Sequence, residues 1–449
     1  MRLTASEIAA ATGGRLIGPD VAVDGMSFDS RSLVPGQLFV PIVAERDGHE
    51  FLAGAVTGGA AAYLTVGPTV PGASAIEVDD TLAALLRLAA AGRDRLDVGL
   101  GDRVIGITGS VGKTSCKDMT AAVVGRRFRT AASIKSYNND QGLPHTVLNA
   151  SDDTEALVLE MGMRGFGEIA RLCAVGRPHV GVITAIAPAH TERVGGIEGV
   201  IRAKGELIEA LPSSGFAVLN ADSPEVMGCA SRSSAAVVSF GRAGDVRIEG
   251  LTLDERACAS FRLVTPWGSS LVRLAVPGAH MATNAAAAAA AGLVIGVPIE
   301  SIPEGLAAAE MSPWRMELHR LASGAVVLND AYNANPASMR AALDTLAALP
   351  ATRRIAVLGV MAEISDPVAE HRAIAAYAAA LGVTVIAVGT PDYGVAPSPN
   401  PAAALGTLGA GDVVLVKGSR VAGLERLAAT LIAGSEIAGS DPEARTPEV

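Results

Sequence analysis

The segment Gly106-Ile-Thr-Gly-Ser-Val-Gly-Lys-Thr-Ser115 constrains this chain more than any other. The apolar Val104-Ile105 leading into it reads as a strand, and Cys116 to Val124 behind it reads as a helix. A turn of small residues between the two leaves several backbone N–H groups free to face one anion, and the helix N-terminus adds its partial positive charge. Thr108, Gly109, Ser110, Gly112, Lys113, Thr114 and Ser115 then form a phosphate cradle. In it, Lys113 reaches the terminal phosphates of a nucleotide and the Thr114 hydroxyl holds its Mg²⁺. The usual spacing asks for a glycine where this chain has Ile107, so the loop is a shorter Thr-Gly-x-x-Gly-Lys-Thr form. ATP is the expected cofactor, and a parallel α/β sheet the expected scaffold.

At about 150 residues per domain, 449 residues suggest roughly three domains. A formal charge of −10 argues against a nucleic-acid coat protein, so an anionic substrate needs local clusters of Lys, Arg and helix N-termini. Cys116, Cys173, Cys229 and Cys258 are widely spaced without a C-x-x-C pair, which points to a reduced compartment and away from disulfides or a zinc site. The N-terminus lacks an apolar signal region, and the longest apolar run, Ala285 to Ile299, is broken by Gly292, Gly296 and Pro298. The expectation is a cytoplasmic monomer with no membrane span and no nucleic-acid partner.

Along the chain, short apolar runs alternate with turns through the first hundred residues, with helices expected near Glu50–Ala55 and Thr81–Leu96. The polar stretch Arg93 to Asp102 reads as a hinge. Apolar runs at 104–108, 156–159, 180–185 and 217–219 then alternate with helical segments, the pattern of a parallel sheet with helices on both faces. From Val237 to Val276 the period becomes two, as in a small antiparallel portion, and the alanine-rich stretch after Asn284 reads as a buried helix. Beyond Glu310-Met-Ser-Pro313 the βα alternation resumes at 325–328, 355–358, 383–388 and 413–416. The expected fold is α/β with three domains: 1–98 at the N-terminus, a central P-loop domain over 99–311, and a Rossmann-like domain over 312–435. A disordered polar tail over 436–449 follows.

Several polar residues stand at strand ends, where open α/β sheets place ligands. Glu160 could bind Mg²⁺ beside the phosphates, although a strand-end Glu alone is more often solvated. His190 occupies an equivalent place, and a lone His is usually structural. Lys204 lies on the helical segment Ile197–Leu211 and by default faces solvent; desolvated and neutral, its amine could take up CO₂ to become an anionic carbamate, a hard oxygen ligand. Arg315 could neutralise a transferring phosphoryl group, and Asp330 could accept a ribose hydroxyl, against the plainer reading of a polar turn capping the next helix. Lys417-Gly-Ser-Arg420 sets two cations beside flexible backbone, and Ser27-Phe-Asp-Ser-Arg31 and Asp47-Gly-His-Glu50 are loops with phosphate- or base-binding capacity.

Taken together these segments resemble the Mur ligase family of ATP-dependent amide-bond-forming enzymes, over nearly the whole chain. The markers are Asp29-Ser-Arg31, Ser136-Tyr-Asn-Asn-Asp-Gln-Gly-Leu-Pro144, Glu160-Met-Gly162 with Gly167-Glu168-Ile169, Ala189-His190, Pro277-Gly-Ala-His280 with Asn284, and Tyr332-Asn-Ala-Asn-Pro336. The Tyr-Asn-Asn and Tyr-Asn-Ala-Asn-Pro pair points to the family member that joins D-alanyl-D-alanine to a UDP-N-acetylmuramoyl-tripeptide. The resemblance implies that Lys113 and Thr114 bind triphosphate and Mg²⁺, that Glu160 and His190 are metal ligands, and that a carbamylated Lys204 serves a second ion. It places Asn284 at the nucleotide, Arg315 at its phosphates and Asp330 at its ribose. Ser30, Arg31, Asp47 and Gly48 would grip the UDP moiety, and Asn138, Asn139, Asn333 and Asn335 would position substrate or nucleotide. Thr184-Ala185-Ile186, Gly359-Val360-Met361 and Glu363-Ile364-Ser365 depart from the family's Thr-Asn-Ile, Gly-Asp-Met and Glu-Leu-Gly. Rival readings are a single-amino-acid Mur-type ligase, a folylpolyglutamate-type synthetase, and, from a different class, a non-catalytic P-loop switch.

Overall fold

Thr4-Ala-Ser-Glu7 opens the first helix as a reciprocal cap: the Thr4 hydroxyl accepts from the Glu7 N–H and the Glu7 carboxylate accepts from the Thr4 N–H. The helix, Ala5–Thr12, escapes a reading by apolar runs alone, though its capping box is visible in the sequence. The computed structural model describes residues 1–187 and 194–437. In the N-terminal part five short strands form one sheet, ordered Arg15–Ile17, Ser74–Glu77, Ala62–Thr65, Leu38–Phe39 and Met26–Ser27. All its pairings are parallel except that of the first strand.

Asp80 caps the long helix Thr81–Leu100 by accepting from the Leu82 and Ala83 N–H groups. This helix corrects the hinge expected at Arg93 to Asp102. Arg93, Leu96 and Leu100 fall on one buried face while Asp94, Arg95 and Asp97 face solvent, so the polar composition reflects the outer side of an amphipathic helix. Arg93 is 1 % exposed and ties the helix to the central part by donating from Nε to the Gly176 carbonyl (3.1 Å), while its Nη1 donates within the helix to Asp97 (2.7 Å). A second fastening comes from Asn149, whose amide exchanges two hydrogen bonds with the backbone of Met26.

The central sheet has nine strands. Thr130–Ala132, Ala156–Glu160, Val104–Thr108, Val180–Ile183, Phe216–Asn220 and Ala236–Gly241 run parallel in that spatial order. Val246–Leu253 pairs parallel with the last of these, and Cys258–Thr265 and Gly268–Pro277 then complete the sheet through antiparallel pairings. The antiparallel portion therefore starts later than the period-two pattern suggests: Ala236–Gly241 belongs to the parallel run, because alternation reports one-sided burial and not strand direction. The helix His280–Val294 holds Ala285 to Ala291 at zero exposure, small side chains letting it pack closely into the core that also contains the P-loop helix Lys113–Val124.

In the C-terminal part the strands Val326–Asn329, Asp412–Lys417, Arg353–Leu358 and Thr384–Ala387 are parallel, as expected from the βα alternation. An unforeseen edge strand, Glu317–Arg320, pairs antiparallel with the first of them. The final helix runs Glu425–Ile437, and the tail expected from 436 lies, from 438 on, outside the described residues. All four cysteines are free and buried. Among the described residues no helix is long and apolar enough to cross a membrane.

Candidate active site

The strand Val104–Thr108 is wholly buried and delivers the chain to the phosphate-type loop at the sheet's C-terminal edge. Gly109 and Gly112 adopt φ of +153° and +83°. A Cβ at Gly109 would stand 2.0 Å from Thr184 Oγ1, and one at Gly112 would stand 2.5 Å from Asn284 Oδ1. Both positions therefore require glycine for backbone shape and for close approach. Gly112→Ala is accordingly expected to raise the KM for ATP on the order of tenfold with the fold intact, measured by steady-state kinetics beside a thermal melt; an unchanged KM would deny the loop its role.

The loop is braced from the next strand end. Ser110 donates its N–H to the Ala185 carbonyl at 2.7 Å, its hydroxyl pairs with the Ala187 backbone, and Thr184 Oγ1 donates to the Val111 carbonyl at 2.5 Å. The brace at Ala185 uses main-chain atoms, so the departure from the family's asparagine leaves it in place. Lys113 folds back over the loop, its Nζ donating to the Gly109 carbonyl at 2.7 Å. Burial lowers its pKa; the charge of Glu160 opposes that and Arg315 adds to it. Thr108 Oγ1 is buried without a partner among the described residues, and Ser115 is buried at the start of the helix.

Glu160 ends its strand at 1 % exposure. Its Oε1 accepts from Asn138 Nδ2 at 2.8 Å, while Oε2 is buried with no hydrogen-bond partner among the described residues. A buried carboxylate oxygen left unpaired at the mouth of a phosphate cradle is the donor a hard cation needs, so the residues present fit Mg²⁺. Lys204, on the helix Ile197–Glu209, is 2 % exposed, and burial pushes its amine well below the usual lysine range with Lys113 adding to the effect. The solvated default for Lys204 is thereby excluded. His190 lies outside the described residues.

Across the cleft, Arg315 sits between Trp314 and Met316, both non-glycine residues in the left-handed region (φ +61° and +53°). Such strain persists only where surrounding contacts over-determine it. Arg315 Nη2 donates to Thr114 Oγ1 at 2.9 Å, its guanidinium carbon lies 4.2 Å from the Tyr332 ring centroid, and its Nε has no partner among the described residues. Tyr332 in turn is hydrogen-bonded through its hydroxyl to Ser136 of the central part. Asp330 accepts from Lys417 Nζ at 2.5 Å and from the Met316 N–H at 3.3 Å.

One cleft of about 730 Å³ gathers these groups. Ser110, Gly112, Lys113, Thr114, Ser115, Asn138, Asn139, Glu160, Lys204, Asn284, Arg315, Asp330, Asn333 and Asn335 all line it, whereas Ser30, Arg31, Asp47 and Gly48 do not. Those four stand in turns of the N-terminal part, where Arg31 pairs with Asp29 and Asp47 caps a short 3₁₀ turn and pairs with His49. Asn139 and Asn335 spend their amide oxygens on backbone N–H groups, the first on Gly142 and the second as cap of the helix Pro336–Ala348. Tyr332, Ser136, His280 and Asn220 also line the cleft with no site role read from the sequence, and so does Lys417, one of the two strand-end cations noted there. The strand-end position of Lys417 was the signal available for it.

The model of the Mur ligase middle domain matches residues 107–292, and that of the Mur ligase glutamate ligase domain matches 314–420. The chain is 40% identical, over 96% of its length and 98% of the relative's, to the UDP-N-acetylmuramoyl-tripeptide–D-alanyl-D-alanine ligase of Mycobacterium tuberculosis (strain ATCC 25618 / H37Rv). This chain belongs to the Mur ligase family. The enzyme of the same name from Escherichia coli (strain K12) is 36% identical over 88% of the chain and 87% of the relative. Among solved structures, MurF from Acinetobacter baumannii superposes with a TM-score of 0.86 at 30% identity, covering 96% of this chain and 99% of the other. MurF ligase from Thermotoga maritima, in complex with ADP, gives 0.79 at 25% identity over 93% and 99%. In this Mur ligase both matched domains contribute walls to the cleft, the middle domain through the P-loop, Glu160 and Lys204, and the other through Arg315, Asp330 and Lys417.

Proposed function

We propose that this Mur ligase is an ATP-dependent, ADP-forming enzyme that joins D-alanyl-D-alanine to UDP-N-acetylmuramoyl-tripeptide through an acyl phosphate, in the assembly of peptidoglycan precursor. The observation that carries the reading is the meeting of Lys113, Thr114 and Glu160 with Arg315 in one cleft, in a chain that aligns end to end with ligases of that name. The reading includes domain divisions at 98/99 and 311/312 and a monomer in the cytoplasm.

A carboxylate is inert towards amines, so it must first be activated. An oxygen of the tripeptide's terminal carboxylate attacks the γ-phosphorus of ATP, and the bond to the β–γ bridging oxygen breaks to release ADP. Lys113 and Arg315, on opposite walls, neutralise the charge that spreads over the phosphoryl oxygens, with Asn284 at the nucleotide and Asp330 at its ribose in this reading. The amine of D-alanyl-D-alanine then attacks the acyl carbon, loses a proton, and the bond to phosphate breaks. Because the acyl phosphate hydrolyses readily, walls that close out water serve the yield. Thr114, Glu160, His190 and a carbamylated Lys204 would hold two Mg²⁺ ions, which when bound would screen phosphate charge.

Ser30, Arg31, Asp47 and Gly48 would hold UDP outside the cleft. Phe28 bridges the gap: its ring lies 5.3 Å from that of Tyr137, the neighbour of Asn138, so the 27–31 turn abuts the cleft's edge. A long nucleotide-sugar peptide spanning from that turn to Asn138 and Asn139 fits this continuity, with Asn333 and Asn335 facing it from the other wall.

The deciding measurement is phosphate release from ATP with UDP-N-acetylmuramoyl-tripeptide, with and without D-alanyl-D-alanine. Release that requires both, with a product heavier by the dipeptide less water, is expected. Release instead with a UDP-dipeptide and a diamino acid would move the chain to the preceding ligase, and ATP binding without release would revive the switch.

The burial of Lys204 supports a further expectation. An uncharged amine can form an N–C bond to CO₂ with loss of one proton. Turnover in CO₂-depleted buffer is expected to fall and to recover on adding bicarbonate, and Lys204→Ala is expected to show no such recovery. Full activity in a protein whose Lys204 peptide carries no added CO₂ would remove the carbamate from the proposal.

A further inference from the structure

Arg315 reaches the phosphate loop from a segment that is itself fastened to the same loop's helix. Asp118 lies on the helix Lys113–Val124, five residues after Lys113, and its side chain is 8 % exposed. Its Oδ2 accepts the Ser312 backbone N–H at 2.7 Å, and its Oδ1 accepts the Ser312 hydroxyl at 3.1 Å. Lys117, equally buried, pairs with the same carboxylate and sets its Nζ 3.4 Å from the Ser312 hydroxyl. One carboxylate thus clasps both donors of a residue 194 positions away, three residues before Arg315. Neither the P-loop chemistry nor the cleft lining uses Asp118.

The stretch that follows explains what the clasp is for. Trp314 and Met316 hold left-handed backbone on either side of Arg315, a conformation L side chains adopt only under external constraint. The Trp314 N–H is taken by Glu317 at 2.8 Å and the Met316 N–H by Asp330 at 3.3 Å, both residues of the C-terminal part. Those contacts fix the downstream side of the segment. Among the described residues Asp118, with Lys117 beside it, fixes the upstream side against the element that carries Lys113 and Thr114. We infer that Asp118 is a positioning residue for phosphoryl transfer: by strapping Ser312 to the P-loop helix it sets the reach of Arg315 to the phosphates bound at that helix's first turn. Positioning errors of an ångström are costly in such transfers, which gives the strap kinetic weight beyond its hydrogen bonds.

The kinetic arm of the test rests on the ligase reading; a second arm needs no turnover. Asp118→Ala is expected to lower kcat/KM for ATP about tenfold or more in the wild-type background and less than about twofold in an Arg315→Ala background. Asp118→Asn, which keeps the shape and one acceptor for the Ser312 N–H, is expected to recover part of the loss, and carries the comparison should the alanine variant not fold. The second arm uses the two tryptophans of the chain. With the half-exposed Trp267 replaced by Phe, Trp314 becomes the sole emitter, and Asp118→Ala is expected to raise its quenching by acrylamide. Equal kinetic losses in both backgrounds would make Asp118 an independent stabilising residue and overturn the proposal. Unchanged quenching would overturn it even in a protein that shows no ligase turnover.

Discussion

Lys113→Ala is expected to cut ligase turnover on the order of 10²–10³-fold, about 3–4 kcal/mol of transition-state stabilisation, while leaving the fold at least as stable. The ammonium is enclosed by the loop it serves, donating to the Gly109 carbonyl at 2.7 Å. Burial works against its charge and lowers its pKa, Glu160 opposes that, and Arg315 adds to it. A cation kept in so unfavourable a place destabilises the empty site, is offset in part by Glu160 and gains its full counter-charge when phosphate arrives, which is the signature of a group retained for function. The alanine variant removes that cost along with the catalytic charge. Turnover by phosphate release and the thermal midpoint, measured together, separate this from simple damage. Activity within tenfold of wild type, or loss of activity that merely follows loss of fold, would contradict the assignment.

What could be read from the chain divides by the distance over which a feature is written. The phosphate loop is local: strand, small-residue turn and helix follow one another over 104–124, and their chemistry follows from order alone. Glu160 was legible because parallel strands place their C-terminal ends on one edge, so a carboxylate there faces the same cleft as the loop. The partners across the cleft were not. Lys417 and Asp330 are 87 residues apart, Asp118 and Ser312 are 194 apart, and Ser136 and Tyr332 are 196 apart, and no periodicity in the sequence records such pairs. Polarity also misled in both directions. Arg93 to Asp102 reads as a hinge by composition, yet it is the outer face of a helix whose arginine is buried. Asn139 and Asn335 read as ligands by type, yet each first satisfies a backbone N–H that would otherwise be left open. An asparagine can do both, since its amide nitrogen remains free to face the cleft.

The second large effect is expected at Glu160→Gln. The substitution keeps the length and planarity of the side chain, and its amide oxygen can still accept from Asn138 Nδ2, now at 2.8 Å from Oε1. What it removes is negative charge at Oε2, the oxygen that is buried without a partner among the described residues. An unpaired buried carboxylate oxygen is unfavourable to folding, so its neutralisation is expected to leave the thermal midpoint equal to or above that of the wild type. Turnover should nevertheless fall on the order of 10²-fold or more, because charge placed to meet a cation beside transferring phosphate acts where water is excluded. The Mg²⁺ concentration needed for half-maximal activity should rise in the variant, and Asn138→Ala, which removes the amide donor to Glu160 Oε1, should raise it by less. A Glu160→Gln enzyme with wild-type turnover at the same Mg²⁺ would show that this carboxylate holds no ion. A variant that melts far below the wild type would instead make Glu160 part of the scaffold. A raised midpoint with lost activity would identify the orphaned oxygen as a site kept at the expense of stability.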